Sequence, residues 1–288
     1  MATAARDGGW TLEILPRSAW WKLDLKELWR YRDLIGLMTR RDITAQYKQT
    51  VLGPLWHVLQ PLLTTFTFAI IFGRGAGLAP PDLPSGLFYM SALVPWNFFA
   101  NVVNRTSRTF TANVNVLSKV YFPRLAVPIS NTISSLVSYA IQLATLAVFI
   151  AGYVLFKPDF HFHLRPELLF LPLLVLIMTV LGLGTGIAVS SMTTRYKDVG
   201  FVVGFGVQLL MYASPVILPL SRLQSMPWLL RVFEANPMTP IINWSRAILF
   251  GGPLDWNGLA YSCGFAGVVL ALGLALFHHV ERTFADTV

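Results

Sequence analysis

The polar side chains within the long apolar stretches of this sequence are neutral, and aromatic rings stand near them. Such groups suit a sugar chain, whose hydroxyl groups bond to amides and whose C–H faces stack on rings. The amides and hydroxyls are Gln60, Thr64, Thr65, Thr67, Asn97, Asn101, Asn104, Asn131, Ser134, Ser135, Gln142 and Gln208. The candidate glycan-path rings are Phe66, Phe68, Trp96, Phe99, Phe205 and Tyr212. Hydrogen bonds between helices and aromatic belts at the membrane interfaces would give the same pattern, and the two interpretations stay open.

Other kinds of chemistry lack the residues they need. The interiors of the apolar stretches contain no Asp, Glu, Lys or Arg, which ion-coupled carriers and intramembrane hydrolases keep for function. No G-x-x-x-x-G-K-[ST] phosphate loop occurs, so the chain does not bind ATP by that route. His161 and His163 could ligate a metal, but without a third ligand a loop feature is favoured. We therefore predict no catalytic, cofactor-binding or metal-ligating residue in this chain.

The elements that must carry these residues are membrane-spanning helices. Only 12% of the 288 residues are charged, against about 25% in soluble domains, and the mean hydropathy is +0.57. Six apolar segments approach the roughly 20 residues that a helix needs to cross a bilayer. They lie at about 54–73, 86–105, 125–155, 166–193, 199–217 and 257–278. The sequence thus predicts an all-α integral membrane protein with six transmembrane helices.

Glycines within two of these predicted spans indicate how the helices pack. Gly182, Gly184 and Gly186 lie in the middle of the fourth span, and Gly200 and Gly204 are four residues apart in the fifth. Small residues at such spacings allow the backbones of two membrane helices to approach closely. We predict close helix packing at both places.

The positive charges define the orientation. Most of the 22 Lys and Arg residues lie at the N-terminus, between the second and third spans, between the fourth and fifth, and after the sixth. The positive-inside rule therefore predicts that both termini are cytoplasmic. On this basis residues 1–53 form cytoplasmic or interfacial amphipathic helices, 54–280 the transmembrane domain and 281–288 a cytoplasmic tail.

The N-terminal region combines tryptophan with basic residues. Trp20, Trp21 and Trp29 alternate with lysine and arginine over residues 18–34, a composition typical of a helix that lies in the membrane interface. Residues 34–52 continue as a second amphipathic helix. Pro54 then opens the first span, where its missing N–H group has no intrahelical partner to lose.

Two connections between the spans carry more apolar residues than a simple turn needs. The cytoplasmic connection 105–124 includes Val116, Leu117, Val120, Tyr121 and Phe122 and ends at Pro123. Exposed apolar residues beside basic ones favour a docking surface over a solvated turn.

The external connection 218–252 is divided by prolines into apolar segments that are too short to span. These segments either re-enter the bilayer as an external gate or cap its surface. The sequence does not distinguish the two.

Several motifs together resemble the permease subunits of ABC transporters that export polysaccharides, the Wzm-like O-antigen and teichoic-acid export family with the type-two ABC exporter fold. The resemblance covers nearly the whole chain from about Leu28. Its motifs are Arg41-Asp42-Ile43, the run from Gln46 to Trp56, Leu59-Gln60-Pro61-Leu62, Phe122-Pro123-Arg124, Arg195-Tyr196-Lys197-Asp198, Tyr212-Ala213-Ser214-Pro215-Val216 and Asn236-Pro237-Met238.

The resemblance implies a homodimeric channel driven by two copies of a separate ATPase, which would bind ATP and Mg; no cofactor is expected in this chain. It implies a gate helix over residues 34–50, a coupling helix over 112–122 that docks on the ATPase, and external gate helices within 218–250. The implied coupling residues are Asn113, Asn115, Leu117, Lys119, Tyr121, Phe122 and Arg124. The implied contacts to a lipid diphosphate are Arg40, Arg41, Tyr47 and Lys48, although these cations could equally anchor the helix at the headgroups.

The expected function is that of the channel-forming permease, passing a lipid-linked polysaccharide across the bacterial inner membrane. Membrane lipids are expected partners and nucleic acid is not. Two alternatives stay open: a type-two ABC exporter of small lipophilic compounds, and a membrane enzyme that acts on polyprenyl-linked sugars.

Overall fold

The computed structural model describes residues 25–48, 50–113, 122–157, 160, 162–193, 196 and 198–284. Every regular element in these ranges is helical. Five of the helical segments are long and apolar enough to cross a membrane: Gly53–Gly75, Ser85–Thr106, Ala126–Phe156, Pro166–Thr193 and Trp256–Val280. They confirm an all-α chain with several apolar spans, whose bounds agree with five of the predicted segments to within two residues.

The elements follow one another in a simple order. The two N-terminal helices are α1 (Leu25–Arg30) and α2 (Arg32–Tyr47). The first span consists of a 3-10 turn (Gly53–Leu55), α3 (Trp56–Phe68) and a π-helical end (Ala69–Gly75). The next elements are α4 (Ser85–Thr106), α5 (Thr109–Ala112), α6 (Ala126–Phe156), a 3-10 turn (Pro166–Phe170), α7 (Leu171–Thr193) and α8 (Val199–Tyr212). A 3-10 turn (Leu220–Leu223), α9 (Pro227–Ala235), α10 (Met238–Phe250) and α11 (Trp256–Phe284) complete the chain.

Helix α4 is the centre of the bundle. Of the 18 residues in its most apolar window, 83% are buried, whereas only 11% are buried in the corresponding window of the first span. Helices α3, α6, α7, α8 and α10 all pack against it. Because its neighbours cover it on nearly every side, α4 contributes the largest part of the main hydrophobic core.

Glycines bring α7 close to two neighbours, as predicted. The Cβ atom of a side chain at Gly184 would lie 2.7 Å from the backbone of Leu270 on α11. The Cβ atom of one at Gly186 would lie 2.5 Å from the side chain of Thr106 on α4. The matching prediction for Gly200 and Gly204 is wrong within the subunit. Nothing lies within 4 Å of a side chain placed at Gly200, and only Asn104 lies near Gly204.

The fifth predicted span is shorter than expected. Helix α8 ends at Tyr212, five residues before the predicted end, and its 14 residues extend only about 21 Å. Residues 213–217 are non-helical, yet Ser214 and Val216 are fully buried. Pro215 lies in this segment and cannot donate a helical hydrogen bond, which explains why the helix does not continue. The prediction that the helix reaches 217 is therefore wrong.

The connection after α8 is not a simple surface cap. Helix α10 packs against α4, α7 and α11, and Met238, Ile241, Ile242 and Ile248 are completely buried. Helix α9 is shorter and exposes most of its residues. At least the second of these two helices, α10, is therefore part of the core of the protein.

Candidate functional site

Asn101 is the one exposed residue of the central helix α4. All other positions from Ser85 to Thr106 are buried or half-buried, and they are mostly apolar. Lipid offers an amide no hydrogen-bond partner, so an exposed amide at the middle of a membrane protein needs water or a polar ligand. Helix α4 therefore reaches the surface of the chain at a polar group.

Two further asparagines flank Asn101 on the same side of α4, because they lie four residues before it and three after it. Asn97 Nδ2 donates to Gln142 Oε1 of α6 over 3.4 Å. Asn104 Oδ1 is 3.8 Å from the position where a side chain of Gly204 on α8 would begin. The amide of Asn97 thus forms a hydrogen bond between two helices, whereas the lack of a side chain at Gly204 leaves space beside Asn104.

The helices on either side of α4 expose polar side chains as well. Gln60 and Thr67 of α3 are exposed, and so is Gln208 of α8. The hydroxyl of Thr67 donates to the backbone oxygen of Leu63, so it does not require an external partner. We call Gln60, Asn101, Asn104 and Gln208 the amide surface.

The candidate glycan-path rings divide into two groups. Phe66, Phe205 and Tyr212 are exposed, and Phe68 is half-buried. Trp96 and Phe99 are only 2% and 3% exposed, and their rings pack edge to face 5.5 Å apart in the core. In this conformation these two rings stabilise the packing of α4 and do not reach a substrate.

Helix α2 rests on α6 and carries the predicted gate cations. Arg40, Arg41 and Lys48 are exposed, and Arg41 forms an ion pair of 2.8 Å with Asp42. Arg40 lies at the rim of an apolar groove of about 640 Å³ between α2 and α6, with Arg32 on the same rim. Arg41 and Lys48 are not among the walls of this groove, so the structure brings only Arg40 to it.

Arg105, in the last turn of α4, forms the centre of a polar cluster behind α2. Asp42 and Tyr47 are close enough to its guanidinium group to interact electrostatically. Its Nη1 atom is buried and has no hydrogen-bond partner among the described residues. Tyr47 packs edge to face on His57, whose Nε2 lies 3.4 Å from the hydroxyl of Ser138. Burial raises the pKa of Tyr47, so its phenol stays a neutral donor.

A hydrophobic cluster links α2 to the connection that leads toward the third span. Ile35 and Met38 of α2 are buried together with Phe110 and Phe122, one from each end of that connection. Phe110 also stacks on Phe277 of α11 at 4.9 Å. A displacement of the connection would therefore act on α2 through this shared cluster.

The remaining predicted coupling residues are only partly described. Asn115, Leu117, Lys119 and Tyr121 lie outside the described residues. Asn113 donates from Nδ2 to the backbone oxygen of Thr109, and Arg124 is half-buried. Phe122 is 5% exposed, so it anchors the connection in the protein and is not available to a partner.

Sequence reasoning missed Arg246, which we had placed in an external connection without a role. Its Nη1 donates to the backbone oxygen of Pro215 at 2.6 Å, and its Nη2 lies 3.3 Å from those of Phe88 and Val216. The guanidinium group also lies 3.7 Å from the centre of the Phe88 ring. Arg246 thus supplies hydrogen bonds to the non-helical segment after α8. An arginine among apolar residues was the only signal for it in the sequence.

Asn236 holds the same segment from the other side. Its Nδ2 donates to the backbone oxygens of Leu210 and Ala213, and its Oδ1 accepts from the backbone N–H of Met238. One side chain therefore joins the end of α8 to the beginning of α10.

Comparison with known proteins places these features in context. The family model described as ABC-2 type transporter matches residues 33–250. An O-antigen export system permease protein, RfbA of Klebsiella pneumoniae, is 26% identical over 260 residues, which cover 88% of this chain and 94% of the relative. The protein of the same name from Myxococcus xanthus is 25% identical, with 92% and 98% covered. The polysialic acid transport protein KpsM of Escherichia coli is 24% identical, with 84% and 91% covered.

Proposed function

Because the chain belongs to the ABC-2 type transporter family, we propose that it is the permease subunit of an ABC transporter that exports a lipid-linked polysaccharide. The relatives named for O-antigen export and for polysialic acid transport match it over at least 91% of their lengths. The chain provides the membrane passage, and a separate ATPase subunit binds Mg and ATP and supplies the energy.

The exposure of Asn101 on the otherwise covered helix α4 is the observation that carries the proposal. Amides bond to sugar hydroxyls, and the exposed rings of Phe66, Phe205 and Tyr212 stand on the two helices that flank α4. An amide surface on the outside of a membrane subunit becomes a polar passage when a second copy covers it. We propose a homodimer in which the amide surfaces of both copies line one channel.

The proposed topology has six crossings with both termini in the cytoplasm. Helix α8 completes the fifth crossing together with the buried segment 213–217. Asn236 donates to the backbone oxygen of Ala213 in this segment, and Arg246 donates to those of Pro215 and Val216. Non-helical backbone at membrane depth is tolerated where protein buries it, as here. Helices α9 and α10 then form the external gate.

Helix α2 is the proposed cytoplasmic gate. Arg40, on the rim of the apolar groove, binds the phosphate of the lipid carrier as its acyl chain enters the groove. Arg41 and Tyr47 of α2, and Lys48 directly after the helix, contribute from outside the groove. The segment 112–122 docks on the ATPase. Its motion reaches α2 through the cluster that contains Phe110 and Phe122.

Deleting the gene is expected to leave completed polymer inside the cell, because synthesis continues while export stops. Extraction and size analysis of intracellular and surface polymer would measure this, and the intact gene supplied in trans should restore export. Normal surface polymer together with increased sensitivity to lipophilic compounds would instead indicate an exporter of small molecules.

We expect cysteine at position 101 to react with a charged, water-soluble thiol reagent, because the proposed channel gives it water. The native Cys263 is exposed and is first replaced by alanine. Cysteine at Val268, which is 59% exposed on α11, provides the matched control. It should react at least about tenfold more slowly. Lipid raises the pKa of a thiol, and each rise of one pKa unit lowers the fraction of reactive thiolate about tenfold. Equal rates at the two positions would rule out a water-filled path at Asn101.

Reversing the charges of Lys119 and Arg124 together is expected to weaken docking of the ATPase. Loss of complementary charges at an interface raises the dissociation rate, and we expect at least about a tenfold loss of affinity. Co-purification of the tagged permease with its ATPase measures the effect. Arg231→Glu, at an exposed position of α9, provides the control. Unchanged binding and export would contradict the docking assignment.

A further inference from the structure

A long groove runs between α3 and α6 on the surface of the subunit, apart from the amide surface and the groove beside α2. Two cavities of about 910 Å³ and 710 Å³ form it. They share Leu62, Phe149, Tyr153 and Lys157 as wall residues, so they are continuous. Of the residues given roles above, Phe66 alone lines this groove among the described residues.

The walls of the groove are apolar along most of its length. The inner part is lined by Val58 and Leu62 of α3 and by Ile141, Ala144 and Val148 of α6, among others. From Ile141 to Lys157 the groove follows α6 for about 24 Å, whereas half of a bilayer core is about 15 Å thick. The groove is thus long enough for an entire acyl chain.

One end of the groove carries positive charge. Arg74 and Lys157 both line the larger cavity, and Asp82 is the one acidic wall residue in the part of the chain that the structure describes. Lys157 Nζ lies 5.6 Å from the centre of the Tyr153 ring, which positions the ammonium group at the mouth. The two cations lie at the ends of the first and third spans, at the side of the membrane opposite to α2.

We propose that this groove binds a membrane phospholipid with an anionic headgroup, whose acyl chain lies between α3 and α6 and whose phosphate is bound by Arg74 and Lys157. The apolar walls match the acyl chain, and the two cations at the mouth match the phosphate of the headgroup. A lipid held in this way fills the space between the two helices and stabilises the outer half of α3, where the helix widens into its π-helical end at Ala69–Gly75. The inference requires only that the chain is inserted in a membrane, so it does not depend on the exported substrate.

Gly152 makes the groove testable. It lines the groove on α6, and none of the described residues lies within 4 Å of a side chain placed there. Gly152→Leu therefore fills the groove without displacing other residues. Gly267 on α11 has equally open surroundings and lies outside the groove, so Gly267→Leu is a matched control.

The experiment is native mass spectrometry of the full chain, purified with any subunit that accompanies it and titrated with dioleoyl phosphatidylglycerol or dioleoyl phosphatidylcholine. We expect the wild type and Gly267→Leu to retain phosphatidylglycerol preferentially, and Gly152→Leu to lose it. Arg74→Gln combined with Lys157→Gln should lower its retention by about thirtyfold, which corresponds to about 1 kcal/mol for each cation.

Three results would overturn the proposal. Equal retention of the two lipids would show that the headgroup contributes nothing. Retention of phosphatidylglycerol by Gly152→Leu would show that the acyl chain of the lipid lies elsewhere. Displacement of the lipid by glycerol phosphate alone would indicate a site for free phosphate. Size-exclusion profiles of the variants distinguish lost binding from lost folding.

Discussion

Replacing Arg105 with aspartate is expected to reduce export at least about tenfold without removing the protein from the membrane. Arg105 lies in the last turn of α4, near Asp42 and Tyr47 of α2, the proposed gate helix. The substitution places a carboxylate close to Asp42, and two like charges near a protein surface repel by about 1–4 kcal/mol. A repulsion of 1.4 kcal/mol already changes an equilibrium tenfold. We expect the gate helix to separate from α4, so that the connection 105–124 no longer controls it.

A charge exchange identifies the pair. Asp42→Arg alone should also reduce export, whereas the double variant with Arg105→Asp should recover a substantial part, because the charges again have opposite signs. Recovery should be incomplete, since the new arginine stands beside Arg41, which now pairs with Asp42 at 2.8 Å. Polymer at the cell surface and the amount of permease in the membrane are the two measurements.

Arg108→Asp provides the control for the charge change itself. Arg108 is exposed and lies three residues further along the same connection, and its side chain forms no interaction with α2 among the described residues. We expect nearly normal export from this variant. If the double exchange were no better than the sum of the two single effects, Arg105 and Asp42 would not be coupled.

Arg246→Met is expected to destabilise the outer half of the protein by about 2–6 kcal/mol, because the oxygens of Pro215 and Val216 lose their donor and each unsatisfied buried group costs about 1–3 kcal/mol. Segment 213–217 should then open to proteases, and the midpoint of thermal unfolding in detergent should fall by several degrees. Arg246→Lys should be intermediate, since an ammonium group keeps the charge but cannot reach three oxygens from a planar fork.

The neighbouring helix α9 supplies the control. Arg231 is exposed, and Arg231→Met should leave both the proteolysis pattern and the unfolding midpoint unchanged. An Arg246→Met protein as stable as the wild type would mean that the segment after α8 does not need these hydrogen bonds. The topology proposed for the fifth crossing would then lose its main support.

Most of the fold follows from local properties of the sequence. The five long apolar helices were predicted because hydropathy summed over about 20 residues decides whether a segment prefers lipid, and neighbouring elements hardly change this sum. Gly184 and Gly186 were predicted to be sites of close packing for a similar reason, since a missing side chain permits approach by any partner.

The errors have a common cause. The end of helix α8 was misplaced because residues 213–217 are as apolar as a helix, whereas the structure gives them a non-helical backbone whose oxygens accept hydrogen bonds from Arg246 and Asn236. Trp96 and Phe99 were chosen as substrate contacts because their type suits a sugar, yet α4 presents them to its neighbours. Helical periodicity places residues on faces, but it does not show which face a neighbour covers.

The sequence by itself determined that this is a membrane protein built of apolar helices, that its membrane segments carry neutral polar groups, and which motifs it shares with export permeases. Only the tertiary structure decided that Asn101 is the exposed residue of α4, and that Arg246 reaches Phe88, 158 positions away. The physical reason is that the preference for lipid accumulates residue by residue along the chain. Exposure and hydrogen-bond partners depend on segments that are distant in sequence and become neighbours only when the bundle forms.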